Sequence, residues 1–447
     1  MGKFVTEKQR AEAVAAAERL IRIPSVSDDT KAGPGHPFGE GPVTALKEVL
    51  AICEEIGFTT YRDPKGYYGY AETGSGPELF GILCHVDVVP AGDPADWDTP
   101  PFEPTIKDGY LIGRGSQDDK GPSMAALFAV KSLMDAGYTF KNRVRFIFGT
   151  DEEVLWRCLE QYNKEEEMAT IGFAPDAEFP LTYAEKGLLD VELVGPGTTA
   201  LKLDAEGALN VVPASATYKG ENLDKVAQAL EKYDFEFEQG DDSITVIGKS
   251  VHSKDAPEGT NALLRLAMAL SDVYDVPALN FLGKLIKESP DGSPIVGDVQ
   301  DEASGHLTVN FASCVINEDE VRIGIDMRIP VTVDKEELAA KFTKAAAEYG
   351  LKYEQVDYIA PLYVPLDSPL VKELLSTYRE LTGDMTEPMV SGGATFARMM
   401  QNCVAFGAMF PDTPDLMHQT NECWELKSMY KAMDIYAEAV YRLCVKK

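Results

Sequence analysis

Phe80–Pro90, FGILCHVDVVP, is an apolar run broken near its end by two polar residues, His85 and Asp87. Its Leu, Ile and Val content predicts a strand buried on both faces. In open α/β sheets, ligands bind just beyond the carboxyl ends of such strands. His85 and Asp87 fall at that edge, two positions apart and therefore on one face. A histidine whose second nitrogen is held by a nearby carboxylate is the usual arrangement of a metal ligand. The alternative for this pair alone is a core histidine held by an aspartate.

The same kind of junction recurs along the chain. Gly113–Gly121 (GRGSQDDKG) ends in a loop whose Asp118 and Asp119 lie just ahead of a helix that Pro122 helps to start. An isolated Asp pair there reads first as a cap. Arg143–Gly149 (RVRFIFG) predicts another strand, followed by Asp151-Glu152-Glu153. Adjacent carboxylates at the end of a buried strand repel one another unless they are solvated or a cation sits among them. Ile171–Phe179 repeats the pattern with Asp176, and the apolar stretch Cys403–Phe410 precedes His418 in MHQTNE.

Composition bounds the rest. A chain of 447 residues predicts two domains. A net charge of −31 disfavours nucleic acid and anionic membrane as partners. No apolar run reaches the length of a membrane span, and MGKFVTEKQR lacks the layout of a signal peptide. Seven cysteines without a CxxC pattern suggest free thiols and a cytoplasmic location.

Local signals divide the chain into parts. Thr6–Ile23 reads as a helix with a Thr6/Gln9 capping box, ended by Pro24. Val43–Ile56 is a second amphipathic helix, and Ala91–Leu111 reads as a long loop. From Leu188 the pattern alternates, as in LLDVELV and Val321–Ile329, which suits antiparallel strands with one exposed face. A helix over about 335–349 joins them, giving an α+β insert that carries Gly248–Ser253 (GKSVHS). Ser368-Pro369 begins a helix that returns to the first domain. The expected organisation is an α/β catalytic domain over residues 1–187 and 366–447, with a lid over 188–365.

His85, Asp118, Glu153, Asp176 and His418 all fall at ends of elements of one α/β domain. Two histidines and three carboxylates suit a pair of borderline divalent ions, with one carboxylate bridging. Glu152 is then left over to act as a base.

The motifs HVDVVP, GRGSQDDKGP, GTDEE, APDAEFP, NVVPA, GKSVHS and HQTNE are similar, in order and spacing, to the zinc-dependent dipeptidases and deacylases of the aminoacylase and carboxypeptidase G superfamily. PFGEGP, GRGSQDDKGP and GKSVHS with a long lid most resemble the PepV-type bacterial dipeptidases. The resemblance implies a zinc-exopeptidase-like catalytic domain with a mixed sheet flanked by helices. It implies two metal ions, zinc first, with manganese or cobalt possible on the same ligands. His85 and Asp176 would bind one ion, Glu153 and His418 the other, and Asp118 would bridge them; the resemblance also implies a cis peptide between Asp118 and Asp119. Asp87 would orient His85, and Glu152 would act as general base and acid. His252 would polarise the scissile carbonyl. Asn210, Arg328, Gly392 and Gly393 match substrate-binding positions, with Arg328 suited to a carboxylate as a fork donor.

Two features depart from that pattern: Cys84 stands in place of a common Gly, and Val154-Leu155 in place of a small residue and Gly. The implied activity is hydrolysis of unmodified dipeptides by a monomer, since residues 188–365 are long enough for two lid units. An N-acyl amino acid deacylase is the nearest alternative. A non-catalytic binding protein is the more distant one.

Overall fold

The apolar run ending in His85 is a central strand of a mixed sheet. In the computed structural model, which describes residues 2–445, the chain divides into two compact units. The first holds the residues up to Tyr183, then Tyr363–Met389 and those from Ala394 onward. The second holds Ala184–Leu362 with Val390–Gly393.

The first unit contains β1 (Thr59–Arg62), β2 (Tyr68–Thr73), β3 (Leu79–His85), the short strands β4 (Thr105–Lys107) and β5 (Tyr110–Ile112), β6 (Arg143–Gly149) and β7 (Ile171–Ala174). The main sheet runs β1-β2-β6-β3-β7 and continues into Cys403–Ala405. β3 is parallel to both β6 and β7, whereas β1 and β2 are antiparallel. All seven residues of β3 are buried, so neither of its faces meets water and the unbroken apolar run follows.

Helices α1 (Glu7–Ile21), α2 (Glu40–Glu55) and α3 (Lys120–Asp135) accompany the sheet. α1 starts at Thr6, where the reciprocal bonds with Gln9 complete a capping box. α2 begins three residues earlier than its apolar face indicates, because Pro42 is tolerated in the first turn. α3 packs against α1 and the C-terminal helix Leu426–Cys444, and every residue from 113 to 130 is buried. The tight entry to α3 requires glycine at 121, where a Cβ would lie 2.1 Å from the Ser116 carbonyl oxygen.

Residues 91–111, read from sequence as a loop, contain β4 and most of β5, which form a hairpin. Asp108 and Gly109, both at positive φ, make its two-residue turn. Three-residue strands are too short to show an alternation, and β5 is stabilised by a distant partner, Cys423–Glu425. The stretch Cys403–Phe410 splits likewise, its two short strands pairing with β7 and with Ala177–Glu178.

The second unit is α+β. Its five-stranded antiparallel sheet runs Leu203–Ala205, Thr308–Ile316, Glu320–Ile329, Gly187–Pro196, Lys352–Ile359. A three-stranded sheet, Ser215–Lys219, Ser243–Ile247, Phe237–Gln239, lies in the same unit. One core, including Leu193, Leu230, Phe281, Ile325 and Phe342, serves both sheets and their helices. On Glu320–Ile329 the alternation holds, but Asp326 and Arg328 on the polar face are nonetheless buried. Among the described residues, no helix is long and apolar enough to cross a membrane.

Candidate active site

Parallel strands β3 and β6 end at the same sheet edge, and β7 ends beside them, so the segments that follow converge. His85 is the last residue of β3, Glu153 follows β6, and Asp176 follows β7. Asp118 arrives in the loop before α3, and His418 in the loop before Cys423–Glu425. Asp118 lies between the two histidines: its Oδ1 is 2.9 Å from His85 Nε2 and its Oδ2 is 2.8 Å from His418 Nε2. Asp176 Oδ2 lies 3.7 Å from His85 Nε2, and Glu153 Oε2 lies 3.1 Å from His418 Nε2. Two trios result, His85–Asp118–Asp176 and Asp118–Glu153–His418, each with ligand atoms within 4.8 Å of one another. Nitrogen from two histidines and oxygen from three carboxylates is a donor set that fits borderline divalent cations.

The electrostatics show concentrated negative charge. Burial opposes a charge on His85, but contacts with Asp118 and Asp87 outweigh it and hold the ring well above its usual range. Bonds to Asp118 and Glu153 raise His418 to about 11. Burial would push Asp118 up, yet its bonds to His418 and His85 carry it below the ordinary carboxylate range. Burial, followed by the charge of Asp118, raises Glu153 to about 7. Burial also raises Glu152 well above a normal glutamate, with Asp176, Glu153 and Asp118 adding to it and His85 opposing. His418 adopts φ +62°, a left-handed conformation that is strained for a residue with a Cβ and that clusters at functional sites.

Neighbouring residues fix these groups. His85 Nδ1 lies 3.0 Å from the Asp87 carbonyl oxygen, so Nδ1 donates its proton there and Nε2 is turned toward the carboxylates. The Asp87 carboxylate accepts the N–H groups of Glu152 and Glu153, and its Oδ1 also lies 3.7 Å from His85 Nδ1. Asp119, joined to Asp118 by a cis peptide, accepts the His85 N–H at 3.2 Å and the Ser123 hydroxyl at 2.8 Å. Cys84 is buried in β3, whereas Val154 and Leu155 are 49% and 58% exposed.

The remaining candidates share the second unit. Val212 donates to the Val251 carbonyl and Ser253 to that of Asn210, which brings Asn210 beside His252. His252 Nδ1 accepts the Lys254 N–H at 3.1 Å, leaving Nε2 as the donor. Partial burial and the positive charges of Arg328 and Lys254 lower its pKa, so the ring is a neutral donor. Arg328 binds Asp326 through two bonds of 2.8 and 2.7 Å and the Gly392 carbonyl at 3.0 Å. Gly393 N–H is held by the Ser391 hydroxyl. Of the five N–H donors of a guanidinium, two are left for a further carboxylate.

Sequence reading overlooked Glu422 and Gln117, which are buried between the Asp118 and His418 loops. Both lie inside motifs already singled out, HQTNE and GRGSQDDKG, but nothing in the spacing distinguishes them from solvated loop residues.

The profile of Peptidase family M20/M25/M40 matches residues 81–442. The chain is 38% identical to "Putative dipeptidase SH1171" of Staphylococcus haemolyticus, over the full length of both proteins. Its fold resembles that of aminoacylhistidine dipeptidase from Vibrio alginolyticus, with TM-score 0.62, 14% identity and coverage of 97% of this chain and 96% of that one. Human carnosine dipeptidase 1 gives TM-score 0.59 at 15% identity, covering 97% and 96%. The matched stretch contains every candidate ligand described above, from His85 to His418, and on these grounds the chain belongs to peptidase family M20/M25/M40 and is a peptide hydrolase.

Proposed function

We propose that this protein is a metallo-dipeptidase that cleaves unmodified dipeptides with two divalent cations, zinc first and manganese or cobalt as alternatives. The observation that carries the reading is Asp118, whose two oxygens each meet a different histidine, at 2.9 and 2.8 Å. A carboxylate shared between two nitrogen-containing trios is the arrangement that a bridging ligand needs. His85 and Asp176 would hold one ion, and Glu153 and His418 the other. When bound, such ions polarise the scissile carbonyl and make water more acidic.

The protein's own groups then move the protons. Glu152 takes one from the attacking water as its oxygen bonds to the carbonyl carbon. It passes that proton to the amine nitrogen as the C–N bond breaks. The raised pKa of Glu152 suits the second half of that role, in which it holds a proton and gives it up. The neutral Nε2–H of His252 suits a developing oxyanion. The two spare donors of Arg328 suit the carboxylate of a C-terminal residue, and Asn210, Gly392 and Gly393 complete substrate recognition. The dipeptidase name of the 38% identical relative supports the substrate class.

We also propose an active monomer, supported by the separate five-stranded and three-stranded sheets within the second unit. Seven cysteines with no disulfide among the described residues support a reducing, cytoplasmic setting. The test is a panel of dipeptides, tripeptides, amidated dipeptides and N-acetyl amino acids, assayed before and after metal loading, with light scattering for the mass. Dipeptide hydrolysis that requires metal is expected, at least tenfold faster than tripeptide hydrolysis. Faster cleavage of N-acetyl amino acids would assign the chain to the deacylases.

A further inference from the structure

Glu422 and Gln117 take part in none of the roles above, yet they are 0% and 1% exposed at the seam between two ligand-bearing loops. The pairing of β5 with Cys423–Glu425 places those loops at one end of a single ladder. Residues 113–119 leave β5 there, and residues 414–422 enter its partner.

Across the seam, Glu422 is saturated with donors. Its carboxylate accepts Arg114 Nη1 at 2.7 Å and the N–H groups of Gly115 at 3.0 Å, Gln117 at 2.7 Å and Asp118 at 3.3 Å. Backbone N–H groups converging on one anion form a nest. The left-handed conformation of Gly115, φ +94°, helps to turn them inward. Gln117 works in the opposite direction. Its amide donates to the carbonyls of Pro414 at 3.0 Å and Cys423 at 2.8 Å, and accepts the N–H of Leu416 at 3.0 Å. Leu416 stands two residues before His418, and the Asp118 N–H is itself one of the Glu422 donors.

We infer that Glu422 and Gln117 are positioning residues that set the separation of Asp118 and His418, and through it the affinity of the cation site those two residues share with Glu153. This rests on the two-cation reading above. A carboxylate tied to one loop and an amide tied to the other lock both segments reciprocally. A displacement of either backbone would therefore be passed to the 2.8 Å Asp118–His418 contact. Partners behind metal ligands typically alter affinity or activity by about 10–100-fold when removed.

The test uses the full chain, stripped with a chelator and titrated with cobalt(II). Visible absorption and calorimetry report binding, and thermal unfolding of the stripped proteins is recorded in parallel. Glu422→Gln turns an NH₂ toward backbone donors, and Gln117→Ala removes the reciprocal bonds. Each variant should bind its weaker cobalt equivalent about 10–100-fold less tightly than wild type. Peptidase activity should return when cobalt is raised by the same factor. If Glu422→Gln does not fold, Gln117→Ala decides the matter alone. Affinities within threefold of wild type overturn the inference, whatever happens to the melting temperature, because a purely structural anchor would move only the latter. A wild-type protein that binds one equivalent overturns the two-cation reading instead; comparing the variants at that single site still tests positioning.

Discussion

The Asp87 carboxylate accepts the Glu153 N–H at 3.1 Å through Oδ2, and its Oδ1 accepts the Glu152 N–H at the same distance. The aspartate that sequence spacing pairs with His85 thus holds the loop after β6, and the histidine rests on its main-chain oxygen. One residue ties the first metal-ligand candidate to the base candidate. Asp87→Asn sets an amide donor against one of those N–H groups. A loss of about 10–100-fold in kcat is expected, with about 1–3 kcal/mol lost from stability. Steady-state kinetics and urea unfolding measure both. An unchanged kcat would show that the main-chain carbonyl of Asp87 suffices.

Glu152 and Glu153 are adjacent but face different tasks, since only Glu153 contacts His418. Glu152→Gln should keep near-normal metal content and lose about 10²–10⁴-fold in rate, the usual contribution of a general base. Glu153→Gln should lose metal as well as activity. Metal analysis beside a dipeptide assay separates the two, and ordinary turnover by the Glu152 variant would reject it as the base.

Arg328 has three donors committed to Asp326 and Gly392, which presets the guanidinium before any substrate arrives. Arg328→Ala should lower kcat/KM for free-acid dipeptides by at least about 100-fold, in line with a charged bond worth a few kcal/mol. Amidated dipeptides should lose much less, so the gap between the two substrates narrows. An equal loss on both would mean that Arg328 does not read the terminal carboxylate.

Asp190 lies opposite Asp326 and Asp357 in the sheet of the second unit. Burial and the charge of Asp326, opposed by Arg328, raise its pKa from 3.8 to about 6. A raised carboxyl pKa favours folding below the unfolded value and withdraws that stability as pH climbs through the folded value. The window is therefore about pH 4 to 6. Asp190→Asn should gain little near pH 4 and about 1–3 kcal/mol above pH 6, at roughly 1.4 kcal/mol per pKa unit. Denaturant unfolding at pH 5 and pH 7.5 checks this; the same gain at both would remove Asp190 as its source.

Much of the fold is legible because it is local. The period of an apolar run separates the continuous β3 from the alternating strand Glu320–Ile329, and Thr6 with Gln9 writes its helix cap in four residues. The β4–β5 hairpin was not legible. Its strands are three residues long, and their stability comes from Cys423–Glu425, more than 300 residues away in sequence.

The chain's residues by themselves determined which groups are available for chemistry: His85, Asp118, Glu152, Glu153, Asp176 and His418 each stand at the end of an element, and side-chain type with local periodicity is enough to see that. Only the tertiary structure decided what each one touches. That Asp87 serves Glu152 and Glu153, that Arg328 is held by Asp326, and that Glu422 grips the Asp118 loop all depend on hydrogen bonds with directions and lengths. Those are fixed by how distant segments pack, and a sequence pattern records spacing along the chain but not distance across it.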